Sequence, residues 1–292
     1  MQQCFKSHVR LVRGAELCST PTVSVALATY NHVRYIRQSI DSVLTQVADF
    51  PVEIIISDDF STDGTREILL EYQARHPDRI ALVLSDRNLW SAVPGMPASP
   101  TPFALMPVCR GKYLVLLDGD DFWTDDSKLV LQVQALDANP HWAGCFHRYT
   151  ILDGKSQMSG PFPPGQVPSE IRFEELIFSN FMATASVLMR REWIYFRDSL
   201  FRLPMGDWWI FLLLTLKGPI GFLDKTMSVY RAHSEGVWSK KSNAQKIGGM
   251  LDLYNALEIE GLYKSLDALR AARNSWVTKL IKYAEELESR SR

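Results

Sequence analysis

Cysteine is scarce in this sequence, and the few cysteines lie far apart. Only four occur among 292 residues, with no CxxC pair: Cys4, Cys18, Cys109 and Cys145. Structural zinc sites and disulfide frameworks need closely spaced or numerous cysteines, so the pattern argues against both. It favours a protein that folds in a reducing compartment.

Long apolar runs and an excess of charge of one sign are also missing. No uninterrupted apolar stretch approaches the roughly 20 residues that a membrane-spanning helix needs. The N-terminal segment has no apolar core of signal-peptide length. The formal net charge of −1 gives no electrostatic basis for binding nucleic acid. We therefore expect a cytoplasmic protein, and peripheral contact with the inner face of a membrane stays open.

The apolar residues that are present, 46% of the chain, are gathered in short runs that predict buried strands. Four runs come early in the chain: 22–31, 52–59, 80–88 and 111–121. After the first run, apolar residues recur at helical spacing: Ile36, Ile40, Val43 and Leu44. A second helical segment ends before Pro77. This alternation predicts an α/β protein with an open, mostly parallel sheet flanked by helices.

Each of these predicted strands ends on polar residues, which read TYN, SDD, SDRN and DGDD. The carboxyl ends of parallel strands meet at one edge of the sheet, where ligands bind in a crevice. The last run, YLVLLDGDD, stops on Asp118, Asp120 and Asp121. Crowded carboxylates repel one another, and a divalent cation such as Mg²⁺ or Mn²⁺ is a common compensation. A solvated turn with acids that cap the next helix is the alternative.

Composition shifts suggest how the chain is divided. Residues 1–20 are predicted to be an N-terminal arm, and residues 241–292 a C-terminal extension of two helices. The main domain is predicted over 21–240, with halves at 21–150 and 151–240 separated near a loop over 159–168. The proline-rich segment 89–107 predicts an irregular excursion. The helical extension is expected to cap the main domain or to form a homodimer contact.

Three segments in order resemble the glycosyltransferase family 2 enzymes of the GT-A fold. They are VALATYNHVRYIRQSIDSVLTQ, VEIIISDDFSTDGTREIL and GKYLVLLDGDDFW, which together cover most of residues 22–150. In the second half, MGDWWIFLLL resembles the family segment that carries a catalytic acid, and VYRAHSEGVWS resembles the stretch after the last core strand. The resemblance implies that residues 21–240 form a GT-A domain with a nucleotide-binding half and an acceptor half.

The resemblance also implies a nucleotide-binding pocket. Its members are the residues that match the family positions after the predicted strands: Ala28, Tyr30, Asp59, Arg87 and Asp118. Asp59 matches the acid that reads the base, usually uracil, and Asp118 the acid that contacts ribose or metal. The family often has Asn-x-Gly after the third strand, and RNLWSAVPGMPASPTP stands there instead. This departure weakens the case for a donor contact by Arg87.

Metal ligands and a base are implied in the same way. Asp120 matches the main metal ligand of the DxD motif, with Asp118 and His233 as further ligands for Mn²⁺ or Mg²⁺. Asp207 matches the general base. By its position alone Asp207 would be read first as an N-cap of the helix that follows, and the two roles are compatible. Many relatives have Glu-Asp at this motif, whereas this chain has Gly206-Asp207.

The activity implied is metal-dependent transfer of a sugar, with inversion, from a nucleoside-diphosphate sugar to a hydroxyl of a glycan or a lipid-linked glycan. UDP is the favoured nucleotide, and GDP and dTDP stay open. A nucleotidyltransferase is disfavoured because TYNHVRY replaces its glycine-rich basic loop. A nicotinamide-dependent enzyme would need GxGxxG after the first strand. An inert sugar-nucleotide-binding module is the remaining alternative, against which the presence of both acids argues.

Overall fold

The computed structural model describes residues 8–89, 105–194, 206–234, 236 and 239–291, and these are built around an 11-stranded sheet. The strands are β1 Val9–Arg13, β2 Val23–Thr29, β3 Val52–Asp58, β4 Ile80–Ser85, β5 Tyr113–Asp118, β6 Phe122–Trp123, β7 Gly144–Asp153, β8 Met158–Phe162, β9 Glu170–Ile171, β10 Leu188–Arg190 and β11 Ile220–Ala232. The helices are α1 Ile36–Leu44, α2 Thr65–Arg75, α3 Lys128–Ala138, α4 Phe173–Leu176, α5 Gly206–Thr215, α6 Asn243–Ile259 and α7 Leu266–Ser291.

Four neighbouring strands, in the order β4, β3, β2 and β5, run parallel to one another. They are the strands that the apolar runs predict, so this prediction is confirmed. Every residue of β3 and β4 is buried, as expected for parallel strands that are covered on both faces. Because all four run in one direction, their polar ends lie together at one edge of the sheet, called here the carboxyl edge.

The second half continues the same sheet. β10 and β7 add next to β5 with antiparallel pairing, β11 then runs parallel to β7, and β6 pairs with β11. Residue 150, the predicted boundary between the halves, lies inside β7. The loop predicted over 159–168 is also ordered at its start, because β8 pairs with β7. Backbone pairing thus joins the two halves into one unit.

The predicted N-terminal arm contains an edge strand. Residues 9–13 form β1, which pairs antiparallel with β4 over all five positions. Its side chains show no alternating pattern of burial, so the sequence carries little strand signal there. Main-chain hydrogen bonds to β4 order this segment. Residues 1–7 of the arm, and residues 90–104 of the proline-rich segment, lie outside the described residues.

The C-terminal extension forms the two predicted helices, α6 and α7, and both pack on the main domain. Tyr254 of α6 is fully buried, donates its hydroxyl hydrogen to the Ile177 carbonyl at 2.8 Å, and meets the Trp208 ring edge-on. Leu269 and Ala272 of α7 belong to the same buried cluster. The extension therefore shares its apolar core with α5. In the part of the chain that the structure describes, no helix has the length and apolarity to cross a membrane.

Candidate active site

Register places the ends of β2 and β5 side by side at the carboxyl edge. Ala28 lies opposite Asp118 on one side and Ser57 on the other. The Gly119 N–H donates to the Ala28 carbonyl at 2.8 Å, and the Asp121 N–H closes a turn onto the Asp118 carbonyl at 3.0 Å. Residues 118–121, called here the acid loop, are therefore fastened to the end of β2. This brings the predicted residues Ala28 and Asp118 together.

Gly119 lets the acid loop lie against the chain that follows β2. A Cβ at this position would fall 2.8 Å from His32 Nδ1 and 2.9 Å from both Cβ and Oγ1 of Thr29. Those distances are shorter than nonbonded atoms allow. Only glycine fits without moving either the acid loop or these neighbours.

We expect Gly119→Ala to lower the free energy of unfolding by about 1–3 kcal/mol, the usual cost of overpacking a filled site. Urea unfolding would measure it. Gly248→Ala is the matched control, because Gly248 is in α6 and a Cβ there would meet no atom within 4 Å. The control should be neutral or stabilising, since alanine favours a helix. Equal stability of wild type and Gly119→Ala would contradict the packing argument.

The Asp120 carboxylate lies between two imidazoles. His233, just beyond β11, has Nε2 2.9 Å from Asp120 Oδ2, and His32 has Nε2 3.8 Å from the same oxygen. Burial acts to raise the pKa of Asp120, but the His233 hydrogen bond and the two histidine charges outweigh it, and the net pKa is lowered. The structure thus brings together the predicted residues Asp120 and His233. His32 was missed by the sequence reasoning, and its position after TYN at a strand end was the available signal.

The other two acids of the loop, Asp118 and Asp121, have raised pKa values. Burial and the charges of Asp120 and Asp207 raise the pKa of Asp118 to about 8. Burial and the charges of Asp120 and Asp118 raise the pKa of Asp121 well above its usual value. Asp121 Oδ1 accepts from the Arg231 N–H at 2.8 Å, whereas its buried Oδ2 has no hydrogen-bond partner among the residues that the structure describes. Three crowded acids with one bare oxygen are an arrangement that a proton or a cation would stabilise.

Asp207 lies in the first turn of α5, a helix whose following residues are buried on all sides. Its Oδ1 accepts from the Trp208 N–H at 2.8 Å, and its Oδ2 accepts from Thr184 Oγ1 at 3.2 Å and Asn180 Nδ2 at 3.3 Å. Burial raises the pKa of Asp207, although these hydrogen bonds oppose the rise. Asp207 therefore accepts a hydrogen bond from a backbone N–H at the start of α5. It is also a carboxylate of increased basicity near Asp118.

The two acids at the end of β3 have different surroundings. Asp58 is fully buried and forms an ion pair with Arg66 of α2 at 2.5 Å, a structural contact. Asp59 is also buried, and its Oδ1 accepts from the Leu89 N–H at 2.7 Å. The Asp59 N–H in turn donates to the Thr29 carbonyl at 3.2 Å, so Asp59 is held beside the end of β2.

Two further predicted nucleotide contacts lie at the rim of the carboxyl edge. Tyr30 follows β2 and has 38% of its surface exposed. Arg87 follows β4, and its guanidinium pairs with the exposed Asp86 at 3.3 Å. The acids Asp125 and Asp126 belong to the turn before α3, where Asp125 Oδ1 accepts from the Ser127 N–H.

Arg231, near the end of β11, turns toward the acid loop and α1, where it donates to the Asp120 carbonyl and to Gln38 Oε1. The segment 234–241 that follows is only partly described, because residues 235, 237 and 238 lie outside the described residues.

The acid loop has the donor chemistry for a hard divalent cation but too few ligands to hold one by itself. No group of three or more His, Cys, Asp or Glu side chains in the described ranges is spaced to hold a metal ion. Asp120 offers a carboxylate of lowered pKa, and Asp121 offers a buried bare oxygen. Oxygen ligands of this kind suit Mg²⁺ or Mn²⁺, which often take further ligands from substrate phosphates. The residues therefore fit a cation that arrives with a phosphate ligand.

Comparison with known proteins connects this geometry to a family. The model of Glycosyl transferase family 2 matches residues 24–93, which run from β2 through β4. TuaG of Bacillus subtilis, described as a teichuronic acid biosynthesis glycosyltransferase, is 28% identical over 77% of this chain and 85% of its own length. Residues 24–93 are therefore similar to glycosyltransferase family 2. An uncharacterized protein of Mycobacterium tuberculosis is 36% identical over 74% of this chain.

The match covers 60% of that mycobacterial relative, so the chain spans about 60% of the length of the first relatives it matches. Solved structures share the fold. TarS 1-349 of S. aureus in complex with UDP-GlcNAc is 19% identical over 88% of this chain and 71% of its own, with a TM-score of 0.60. Mannosyltransferase PcManGT of Pyrobaculum calidifontis with GDP-Man and Mn2+ is 16% identical over 91% and 76%, also with 0.60. The predicted GT-A fold is confirmed.

Proposed function

We propose that this protein is a metal-dependent, inverting glycosyltransferase that moves a sugar from a nucleoside-diphosphate sugar to an acceptor hydroxyl. The observation that carries the proposal is the pairing of two kinds of carboxylate at the carboxyl edge. Asp120 is held ionised between His32 and His233, while Asp207 has a raised pKa and lies near enough to Asp118 to raise its pKa too. One group suits cation binding, and the other suits proton abstraction.

Ala28, Tyr30, Asp59 and Asp118 are proposed to bind the nucleotide. Tyr30 is a partly exposed aromatic residue that can stack on a base, and Asp59 offers a carboxylate at the end of β3 that can accept hydrogen bonds from a base edge. Arg87 would have to leave Asp86 to reach the donor. UDP is the proposed nucleotide. TarS has been solved with UDP-GlcNAc and PcManGT with GDP-Man, so GDP remains the second candidate.

Asp120, with Asp118 and His233 near it, is proposed to hold Mn²⁺ or Mg²⁺. When bound, such a cation supplies Lewis-acid stabilisation of the charge that develops on the leaving diphosphate. The raised pKa of Asp118 means that it is partly protonated near neutral pH without a cation. Asp118 can therefore release a proton as positive charge arrives, which couples binding of the donor complex to pH.

Asp207 is proposed to act as the general base. Its Oδ2 is fixed by Thr184 and Asn180, so the carboxylate cannot rotate freely away from an acceptor hydroxyl. An acceptor placed here would lose its proton to Asp207 as its oxygen attacks the anomeric carbon opposite the leaving diphosphate. Attack from that side inverts the anomeric centre. The acceptor is proposed to be a glycan or a lipid-linked glycan, used at the cytoplasmic side of a membrane.

Release of free nucleoside diphosphate from a panel of nucleotide sugars, with Mn²⁺ and with chelator, tests this function. Slow hydrolysis of one donor that is lost with chelator would support the reaction class and identify the donor. If no donor is hydrolysed, calorimetric titration with UDP and with GDP in Mn²⁺ is the second measurement. Absence of binding to both would overturn the proposal, and metal-independent turnover would overturn its metal requirement.

A further inference from the structure

Arg231 occupies the junction between the acid loop, α1 and β11. It is the second-last residue of β11, and β6, which directly follows the acid loop, pairs with β11 through Phe122 and Val229. The pairing of β6 with β11 therefore brings Arg231 close to the acid loop. The Arg231 side chain adds contacts to this arrangement that backbone pairing alone would not require.

The Arg231 guanidinium lies between two aromatic rings. Its central carbon is 4.5 Å from the Phe122 ring centroid and 5.0 Å from the Tyr35 ring centroid. A guanidinium stacked in this way loses little of its attraction to polar groups in its own plane, because its N–H groups point outward from its edges. The stacking fixes the plane of the guanidinium and the direction of its N–H groups.

The N–H groups of the Arg231 guanidinium have defined acceptors. One terminal nitrogen donates to the Asp120 carbonyl and the other to the Gln38 side-chain carbonyl on α1. The Arg231 backbone N–H donates to Asp121 Oδ1 at 2.8 Å. Arg231 therefore holds two successive residues of the acid loop, one through its main chain and one through its side chain.

We propose that Arg231 is a positioning residue that fixes the direction of the Asp120 carboxylate and so sets the affinity of the acid loop for its divalent cation. This inference rests on the proposed function, in that it takes Asp120 to be a cation ligand. With its terminal nitrogens committed to Asp120 and Gln38, the guanidinium acts through the loop rather than on the donor diphosphate. Its positive charge lies beside the Asp120 carbonyl and Asp121 Oδ1, and so also offsets the crowding of the three acids.

The test is Mn²⁺ affinity, measured by electron paramagnetic resonance with saturating UDP, for wild type, Arg231→Lys, Arg231→Met and Gln38→Leu. Loss of a residue that orients a metal ligand commonly weakens metal binding by about 10–100-fold. We expect that range for Arg231→Met and a smaller loss for Arg231→Lys, which keeps one donor. Gln38→Leu does not change the acid loop itself. It should weaken Mn²⁺ binding severalfold, because the Arg231 guanidinium loses its acceptor on α1.

Arg190→Lys is the matched control. Arg190 also lies between two rings, those of Tyr113 and Trp193, and donates to the Leu136 and Trp142 carbonyls. It is on β10, and neither its ring nor its carbonyl contacts involve the acid loop. Arg190→Lys should lower the free energy of unfolding and leave Mn²⁺ affinity unchanged.

The possible results distinguish the proposed function from the positioning role of Arg231. Failure of wild type to bind Mn²⁺ with either UDP or GDP would overturn the proposed function. Normal Mn²⁺ affinity in Arg231→Lys and Gln38→Leu, in a wild type that binds Mn²⁺, would overturn the positioning role alone. The positioning role would be supported if these variants showed a raised KM for the nucleotide sugar and if added Mn²⁺ restored both KM and kcat. If Arg231→Met does not fold, the other two variants decide.

Discussion

Replacing Asp207 with asparagine is expected to lower sugar transfer by about 10²–10⁴-fold while nucleotide-sugar binding stays close to normal. Asparagine has nearly the same shape, and its carbonyl oxygen can still accept from the Trp208 N–H that Asp207 now satisfies. It cannot take a proton at neutral pH. The variant therefore separates the proposed base from the helix N-terminal role that Asp207 also fills. Transfer is measured by product formation, and binding by calorimetry with UDP and Mn²⁺.

Asp267→Asn is the control for this variant. Asp267 lies in the first turn of α7, as Asp207 does in α5, but it is on the C-terminal extension. If Asp207 mattered only as a first-turn acid, the two substitutions would have similar small effects on stability and none on catalysis. Full turnover in Asp207→Asn would show that another group takes the acceptor proton.

The pH profile gives a second measure of the same role. Burial raises the pKa of Asp207 above that of an ordinary carboxyl. A general base works in its deprotonated form, so transfer should be retained above this raised pKa and fall as the pH drops through it. The acidic limb of kcat should lie at higher pH than an exposed aspartate would give. Asp207→Asn should lack this limb, whereas Asp267→Asn should keep it.

Replacing Asp120 with asparagine or alanine is expected to weaken Mn²⁺-dependent binding of UDP by at least about 100-fold, the upper end of what losing a partner of a metal ligand costs. Either change removes the carboxylate that His233 and His32 hold ionised. Without its charge, the acid loop offers only Asp118 and Asp121, whose pKa values are raised. Calorimetric titration of UDP with Mn²⁺ and with chelator measures the loss.

Asp86→Asn is the control for Asp120. Asp86 is also an acid at the carboxyl edge, but it is exposed and pairs with His8 and Arg87. This substitution should leave the chelator-sensitive part of UDP binding unchanged. Retention of that part in Asp120→Ala would mean that the cation is held elsewhere.

Much of the first half, residues 21–150, could be read directly from the sequence. β2 to β5 are buried parallel strands, so their residues had to form apolar runs, and those runs end where the chain reaches solvent at the carboxyl edge. Asp118 and Asp120 stand at such an end, and the three motifs in order place them in the family pattern. Helix α1 was equally visible, since Ile36, Ile40 and Val43 are all buried on one face.

The contacts between distant segments could not be read in this way. His32 and His233 meet at Asp120 although about 200 positions separate them, and the sequence around His32 contains no metal-binding spacing. Arg231 is also far from Phe122 and Tyr35 in the sequence, yet its guanidinium packs against both rings. The sequence of β1 shows no regular alternation of apolar and polar residues, because main-chain pairing with β4 holds this strand in place.

The sequence by itself determined the strands, their order of appearance and the acids at their ends, because burial and helix periodicity act on neighbouring residues and leave a local pattern. Only the tertiary structure decided how those acids differ. Asp120 keeps a lowered pKa through two imidazoles. Burial and the charges of neighbouring acids raise the pKa of Asp118 and Asp121, and burial raises the pKa of Asp207. Such differences depend on distances between charges from separate strands and helices, and those distances exist only once the sheet has formed.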